Sequence, residues 1–121
     1  TLSDVAGKTW IASATEVTQQ ILFFCKLSVN SSGTVASQPN GCSDYYPNQN
    51  NFASPSKYNV KSGSVRQVSP ADCTFEANLK LGDGTTTPVA RFVLDSGKTV
   101  GVGSFIVNWG GRGPFNMVLV Q

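Results

Sequence analysis

The chain has 121 residues, a net charge of +2 and only 13% charged side chains. This length predicts a single β domain over residues 1–121, and the small positive excess is too weak to indicate nucleic-acid binding from composition alone. No histidine is present, so the usual general base and the usual zinc ligand sets are missing. We therefore expect no enzyme, no cofactor and no metal site. The longest apolar run, residues 21–25, is far shorter than the roughly 20 residues of a membrane span, so we also expect no membrane partner.

Alternation of apolar and polar side chains predicts an all-β fold, an antiparallel meander sheet of about seven or eight strands with little or no helix. A helical turn near residues 2–5 is also compatible with the pattern. Short turns rich in glycine, serine and asparagine separate most of the strand segments. The segments with strand character cover residues 8–17, 20–29, 34–38, 57–61, 64–68, 73–81, 88–95, 99–109 and 115–121.

Residues 39–56, PNGCSDYYPNQNNFASPS, interrupt this series of strands. Three prolines and the lack of a strand-length apolar pattern predict one long loop. Its Tyr45, Tyr46 and Asn48 combine rigid aromatic rings with an adaptable amide, which is the chemistry of many binding loops. A packed surface loop is the simpler interpretation of the same residues.

The three cysteines cannot all pair within one chain, and the odd number favours reduced thiols or a bridge between subunits. In a regular hairpin with residue 29 opposite residue 34, Cys25 lies opposite Gln38, about four residues from Cys42. A bridge between Cys25 and Cys42 therefore requires the hairpin to break at Pro39. We expect Cys25 to be a buried thiol, and we take Cys42 and Cys73 as the candidates for a disulfide.

The segment SVRQVSPADCTFEANLKL, residues 64–81, alternates between apolar and polar side chains after a short irregular stretch. Strand residues two apart point to the same side, so one side of this segment is apolar and the other polar. A polar sheet face that carries cations, amides and hydroxyls has the chemistry to contact phosphates and unstacked bases. A merely solvated face is the alternative. The polar set comprises Ser62, Ser64, Arg66, Thr74, Glu76, Asn78 and Lys80.

Two stretches of the sequence resemble the coat proteins of single-stranded RNA bacteriophages. SVRQ at 64–67, with a serine two residues on, an aromatic residue at 75 and apolar residues at 77, 79 and 81, is similar to the central hairpin of that family. FNMVLV at 115–120 is similar to its last strand. The two stretches together cover about a quarter of the chain.

The resemblance implies a capsid subunit that forms a homodimer, assembles into the shell of a virion and packages RNA on an inward sheet face. It places Asn116 with the seven residues of the polar set as RNA-facing side chains. The sequence departs from the family at Pro114, where a base-stacking tyrosine is expected. It also shows no counterpart of the family's two C-terminal helices, so other strands or the long loop would supply the dimer contacts.

Two alternatives to the coat protein are compatible with the sequence. The first is an extracellular, non-enzymatic β-sandwich or barrel module that binds a glycan or a protein through loops 43–52 and 109–113. Its candidate residues are Tyr45, Tyr46, Asn48 and the tip from Trp109 to Gly113. The second is a small lipocalin-like protease inhibitor, suggested by AGKTW at 6–10 and by the later Cys25 and Cys42.

Overall fold

The computed structural model describes residues 1–47, 55–71 and 73–120 and is built almost entirely of antiparallel strands. One 3-10 turn, Leu2–Asp4, precedes the first strand, as the sequence allowed. No helix in this described part of the chain is long and apolar enough to cross a membrane. The strands are β1 (Lys8–Glu16), β2 (Ile21–Val29), β3 (Thr34–Val35), β4 (Gln38–Tyr45), β5 (Ser56–Ser69), β6 (Thr74–Leu81), β7 (Val89–Leu94), β8 (Val100–Ile106) and β9 (Arg112–Val120).

The sheet closes on itself as an eight-stranded barrel. Strand β1 pairs with β2 on one side and with β9 on the other, so the first and last strands of the barrel are neighbours. The short strand β3 is an addition between β2 and β5. Closure leaves no long unpaired edge among the strands that the structure describes, and the buried side of each long strand faces a common interior. The prediction of an all-β antiparallel fold is confirmed.

One end of the barrel is filled by large apolar side chains. Trp10 is completely buried, and its Nε1 donates a hydrogen bond of 3.1 Å to the Val5 carbonyl, which ties the N-terminal turn to this end. The rings of Phe75, Phe92 and Phe115 pack in sequence with centroid distances of 5.6 and 5.8 Å. Such burial is the main favourable contribution to folding. We call this the closed end.

Strand β5 is continuous, whereas the sequence predicted a break at residues 62–63. Its pairing with β6 shifts register between Val60 and Ser62, and the strand continues through the irregularity. A Cβ atom at Gly63 would lie 2.7 Å from the Asn78 carbonyl oxygen, so only glycine allows the two backbones to approach this closely. The glycine therefore permits a close backbone approach within the strand and does not end it.

Strand β4 lies where the sequence predicted the beginning of a long loop. It pairs with β2 on one side and with β5 on the other. Pro39 falls between Gln38 and Cys42, where the register with β5 shifts, and Asn40 has a left-handed φ of 52°. A proline and a left-handed residue are tolerated there because the hydrogen-bond ladder is already interrupted.

The disulfide joins Cys25 to Cys42, with the two Cα atoms 4.1 Å apart. The two residues face each other directly in the pairing of β2 with β4. The irregularity around Pro39 supplies the extra residues that a regular hairpin lacks. The sequence analysis required such a break at Pro39 for this bridge. Cys25 is buried as expected, but not as a free thiol, and the proposed pairing of Cys42 with Cys73 is wrong. Cys73 is free and exposed.

Candidate functional site

A cavity of about 460 Å³ extends through the barrel interior from Phe115 of the closed end toward the opposite end. We call it the central cavity, and we call that opposite end the open end. Its lining includes Gln19 from the β1–β2 turn, Thr86 from the β6–β7 turn and Trp109 from the β8–β9 turn. The interior of an eight-stranded barrel is either filled by side chains or left with space for one small ligand. This barrel has such a space.

Alanine residues at inward positions account for much of the free volume. Ala77 and Ala90 are buried and lie opposite each other on β6 and β7. Ala12 and Ala14 line the same cavity from β1. A larger aliphatic side chain at any of these positions would fill part of the interior. The cavity therefore follows from the choice of residues at these positions.

Aromatic side chains form much of the remaining lining. Phe23 and Phe105 contact each other edge to face, with ring centroids 6.4 Å apart. The Trp109 side chain lies at the open end and is 46% exposed, so it presents both a ring face and a polar edge near the entrance. The central cavity is thus mainly apolar, as small-molecule sites usually are.

A carboxylate and two phenol groups provide polar chemistry in this lining. Tyr58 lies opposite Cys42 in the β4–β5 pairing, and Asp44 is two residues further on, so both point inward. The Tyr46 hydroxyl donates a hydrogen bond of 3.4 Å to Asp44 Oδ2. Asp44 Oδ1 and the Tyr58 hydroxyl are both buried and make no hydrogen bond of standard distance and angle among the described residues, although Tyr58 lies close enough to lower the pKa of Asp44. Unpaired polar atoms of this kind are uncommon in proteins.

Burial changes the titration of both groups. It raises the pKa of the Asp44 carboxyl, and the Tyr58 and Tyr46 hydroxyls beside it offset only part of this effect. Burial, followed by the neighbouring Asp44 carboxylate, raises the pKa of Tyr58 far above its usual range. Tyr58 therefore remains a neutral phenol that can both donate and accept a hydrogen bond.

The carboxylate of Glu16 holds the β1–β2 turn at the open end. It is completely buried and accepts hydrogen bonds from the backbone N–H groups of Thr18 at 2.8 Å and Gln19 at 2.7 Å. Burial alone raises the pKa of Glu16, but hydrogen bonds from Thr18, Gln19 and Arg112 outweigh it and lower the pKa. Because its oxygens are satisfied locally, we assign Glu16 a structural role in positioning Gln19.

The structure brings part of the predicted glycan or protein loops to the open end. Tyr46 and Trp109 both line the central cavity. Tyr45 points outward and packs edge to face on Phe24 at 5.5 Å. Asn48, together with residues 49–52 of the predicted loop, lies outside the described residues. Sequence reasoning did not single out Asp44 or Tyr58. Asp44 follows Cys42 by two residues, so these two side chains share one side once the segment forms a strand.

The polar set predicted to contact RNA lies on the outside of the barrel. Ser62, Ser64 and Arg66 on β5 lie opposite Lys80, Asn78 and Glu76 on β6. We call this surface the outer polar face, and its seventh member, Thr74, lies on the same strand as Glu76. Asn116 is on β9, between β1 and β8, and is therefore separated from β6 by two intervening strands.

Glu76 lies at the centre of the outer polar face and holds two guanidinium groups. Its Oε1 accepts a hydrogen bond of 3.1 Å from Arg66 and one of 3.0 Å from Asn78, and its Oε2 accepts one of 2.9 Å from Arg91. The hydrogen bond from Asn78 and those from Arg91 and Arg66 lower the pKa of Glu76, although burial opposes them. Arg91 was not among the predicted residues because it comes from β7. This carboxylate reduces the positive charge that the face offers to a phosphate.

Comparison with known proteins identifies a structure of similar fold but no family. No family model matches the chain, and no curated protein matches it. A solved structure of a de novo designed fluorescence-activating β-barrel resembles it with a TM-score of 0.69 and 9% sequence identity. The match covers 98% of this chain and 97% of the designed one. At this identity the similarity establishes the barrel fold alone.

Proposed function

We propose that this chain is a non-enzymatic barrel that binds a small, largely apolar molecule in the central cavity. The observation that carries the proposal is the combination of about 460 Å³ of internal space with a few convergent polar groups. Cavities of a few hundred Å³ with apolar walls and a small number of polar side chains are the usual form of small-molecule sites. The alanines that create this space would be unfavourable in a barrel that needed only a packed core.

The disulfide supports an extracellular setting for this function, which was the alternative location drawn from the sequence. Disulfides form and persist in oxidising compartments and are rare in the cytosol. The bridge between Cys25 and Cys42 joins two strands of the cavity wall, and Cys25 itself lines the cavity. We therefore expect the oxidised chain to be the form that binds.

An environment-sensitive dye tests the proposal directly. We expect N-phenyl-1-naphthylamine, a neutral aromatic probe, to bind the purified protein and increase in fluorescence. Ala14 is half-buried and lines the cavity, so Ala14→Leu extends into the free volume and should weaken binding at least tenfold. Ser104→Leu adds the same side chain on the exposed side of β8 and should leave binding unchanged.

Thermal melts of the two variants separate loss of binding from loss of folding. If the wild-type protein does not bind the probe, the proposal is wrong. Equal affinities of the wild-type protein and a folded Ala14→Leu variant would also contradict it, because the probe would then lie elsewhere.

A second candidate function is the RNA-packaging coat protein that the sequence resemblance implies. The observation in its favour is that six of the predicted residues, on β5 and β6, form three directly opposite pairs on one outer face. Electron microscopy of the purified protein should then show particles. Arg66→Ala and Lys80→Ala should lower their RNA content without dissolving them. A strictly monomeric product by size-exclusion chromatography and microscopy would count against this function.

A further inference from the structure

We infer that the central cavity selects molecules in which a small aromatic or aliphatic body carries a primary ammonium group, and that Asp44 is the residue that recognises this group. The inference rests on the proposed function and adds the chemical class of the ligand. Asp44 lines the cavity, and its Oδ1 makes no hydrogen bond of standard geometry among the described residues. A buried carboxylate oxygen without a donor is costly, and a ligand that supplies the donor removes that cost.

The charge of the lining favours a cation. Among the described residues that line the cavity, Asp44 is the one with an ionisable carboxyl group, and none is a lysine or an arginine. The ion pairs found in the described part of the chain do not include Asp44. An anionic ligand would meet this carboxylate without a compensating cation. An ammonium group would instead form a charge-assisted hydrogen bond, which is stronger than a neutral one.

Tyr58 supplies a second acceptor for the same group. Its hydroxyl is neutral, makes no hydrogen bond of standard geometry among the described residues, and lies beside the Asp44 carboxyl at a diagonal position on the adjacent strand. An ammonium group has three donors, so it can contact the carboxylate and the phenol oxygen together. Asp44 Oδ1 and the Tyr58 hydroxyl both have almost no exposed surface, so a ligand reaches them only after a small side-chain movement. The terminal torsion of an aspartate is soft, which allows the Asp44 carboxyl to turn partly toward the cavity.

The aromatic residues of the cavity match the body of such a ligand. Phe23 and Phe105 line the cavity, and Trp109 lies at its entrance. A naphthalene-sized ring system is well below 460 Å³ and leaves room for a one-carbon link to the ammonium group. Aromatic faces also attract cations, which strengthens the preference for an ammonium group over a neutral polar group.

Displacement of bound N-phenyl-1-naphthylamine by three matched compounds tests the inference. These are 1-naphthylmethylamine, 1-naphthalenemethanol and 1-naphthoic acid, which share one ring system and differ in charge. With the wild-type protein at neutral pH, we expect the amine to displace the dye at a concentration at least tenfold lower than the alcohol. The acid should be the weakest competitor.

Two variants locate the preference. In Asp44→Asn, the alcohol and the amine should displace the dye at about the same concentration, so their ratio should fall to about one. In Asp95→Asn, which removes the same charge from the β7–β8 turn at the closed end, the ratio should stay as in the wild-type protein. The proposed ligand class is wrong if the amine displaces the dye from the wild-type protein no better than the alcohol does. It is also wrong if Asp44→Asn keeps the wild-type ratio of the two concentrations. A wild-type protein that does not bind the dye contradicts the proposed function itself.

Discussion

The disulfide between Cys25 and Cys42 should contribute about 3 kcal/mol to the free energy of unfolding. The bridge closes a segment with a sequence separation of 17 residues. Loop-closure entropy for a segment of this length corresponds to about 3 kcal/mol at 25 °C, because the crosslink restricts the unfolded chain. For a domain of this size, that loss should lower the melting temperature by roughly 10 °C or more.

The perturbation is the double variant Cys25→Ala with Cys42→Ala, made in a Cys73→Ala background. Removing the exposed, free Cys73 prevents disulfide exchange and should itself have little effect on stability. Urea unfolding of the background and of the triple variant, followed by far-UV circular dichroism, measures the difference in unfolding free energy. Equal free energies would refute the entropic argument.

Counting thiols in the denatured, non-reduced protein checks the pairing itself. The wild-type chain should show one reactive thiol, which belongs to Cys73, and Cys73→Ala should show none. A bridge between Cys42 and Cys73 would also leave one thiol in the wild-type chain. In that case, however, Cys73→Ala would expose two. The variant therefore distinguishes the two pairings without a structure.

Two further perturbations address the barrel itself. Glu76→Gln should lower the unfolding free energy at pH 7 by about 1–2 kcal/mol, because the two arginine partners are half-exposed and each exposed pair contributes at most about 1 kcal/mol. The pKa of Glu76 is lowered in the folded state, so its contribution is present above the ordinary value of 4.5 and is lost as the pH falls through the folded value. Wild-type and Glu76→Gln proteins should thus converge in stability in acid, and a difference that is independent of pH would contradict the ion-pair explanation. Gly113→Ala should destabilise by about 3 kcal/mol or more, because its Cβ would lie 1.8 Å from the Thr15 carbonyl oxygen. Gly97→Ala is the control, since its nearest neighbour would be 3.5 Å away, and a similar loss in both variants would show that the backbone contact is not the cause.

Much of the barrel could be predicted because alternation in a strand is a local property. Phe75, Ala77 and Leu79 on β6 are buried as the pattern indicates, and the residues between them belong to the outer polar face. A shift by one residue would move every apolar side chain to the outside, so burial of one side specifies the register strongly. Strand β4 could not be predicted in this way. Its sequence around Pro39 has no strand pattern, and it is extended because β2 and β5 pair with it on both sides.

The candidate site could be predicted only in part, for a related reason. Aromatic residues such as Tyr46 and Trp109 indicated that their loops were suited to binding. The pairing of β4 with β5 brings Asp44 beside Tyr58, and that pairing crosses the long connection between the two strands. The sequence does not specify this register, so no sequence pattern linked the Asp44 carboxylate to the Tyr58 phenol. Tertiary structure places them in one cavity.

The sequence by itself determined the class of the protein, an antiparallel all-β fold indicated by alternating side chains such as those of β6. Only the tertiary structure decided that the sheet closes. The closing contact pairs Thr9 with Val120, across almost the whole length of the chain, and local periodicity carries no information about so distant a pairing. Closure has a direct physical consequence for function. In an open sheet the apolar side must be covered by another layer, whereas in this barrel it surrounds an interior that its alanines leave partly empty.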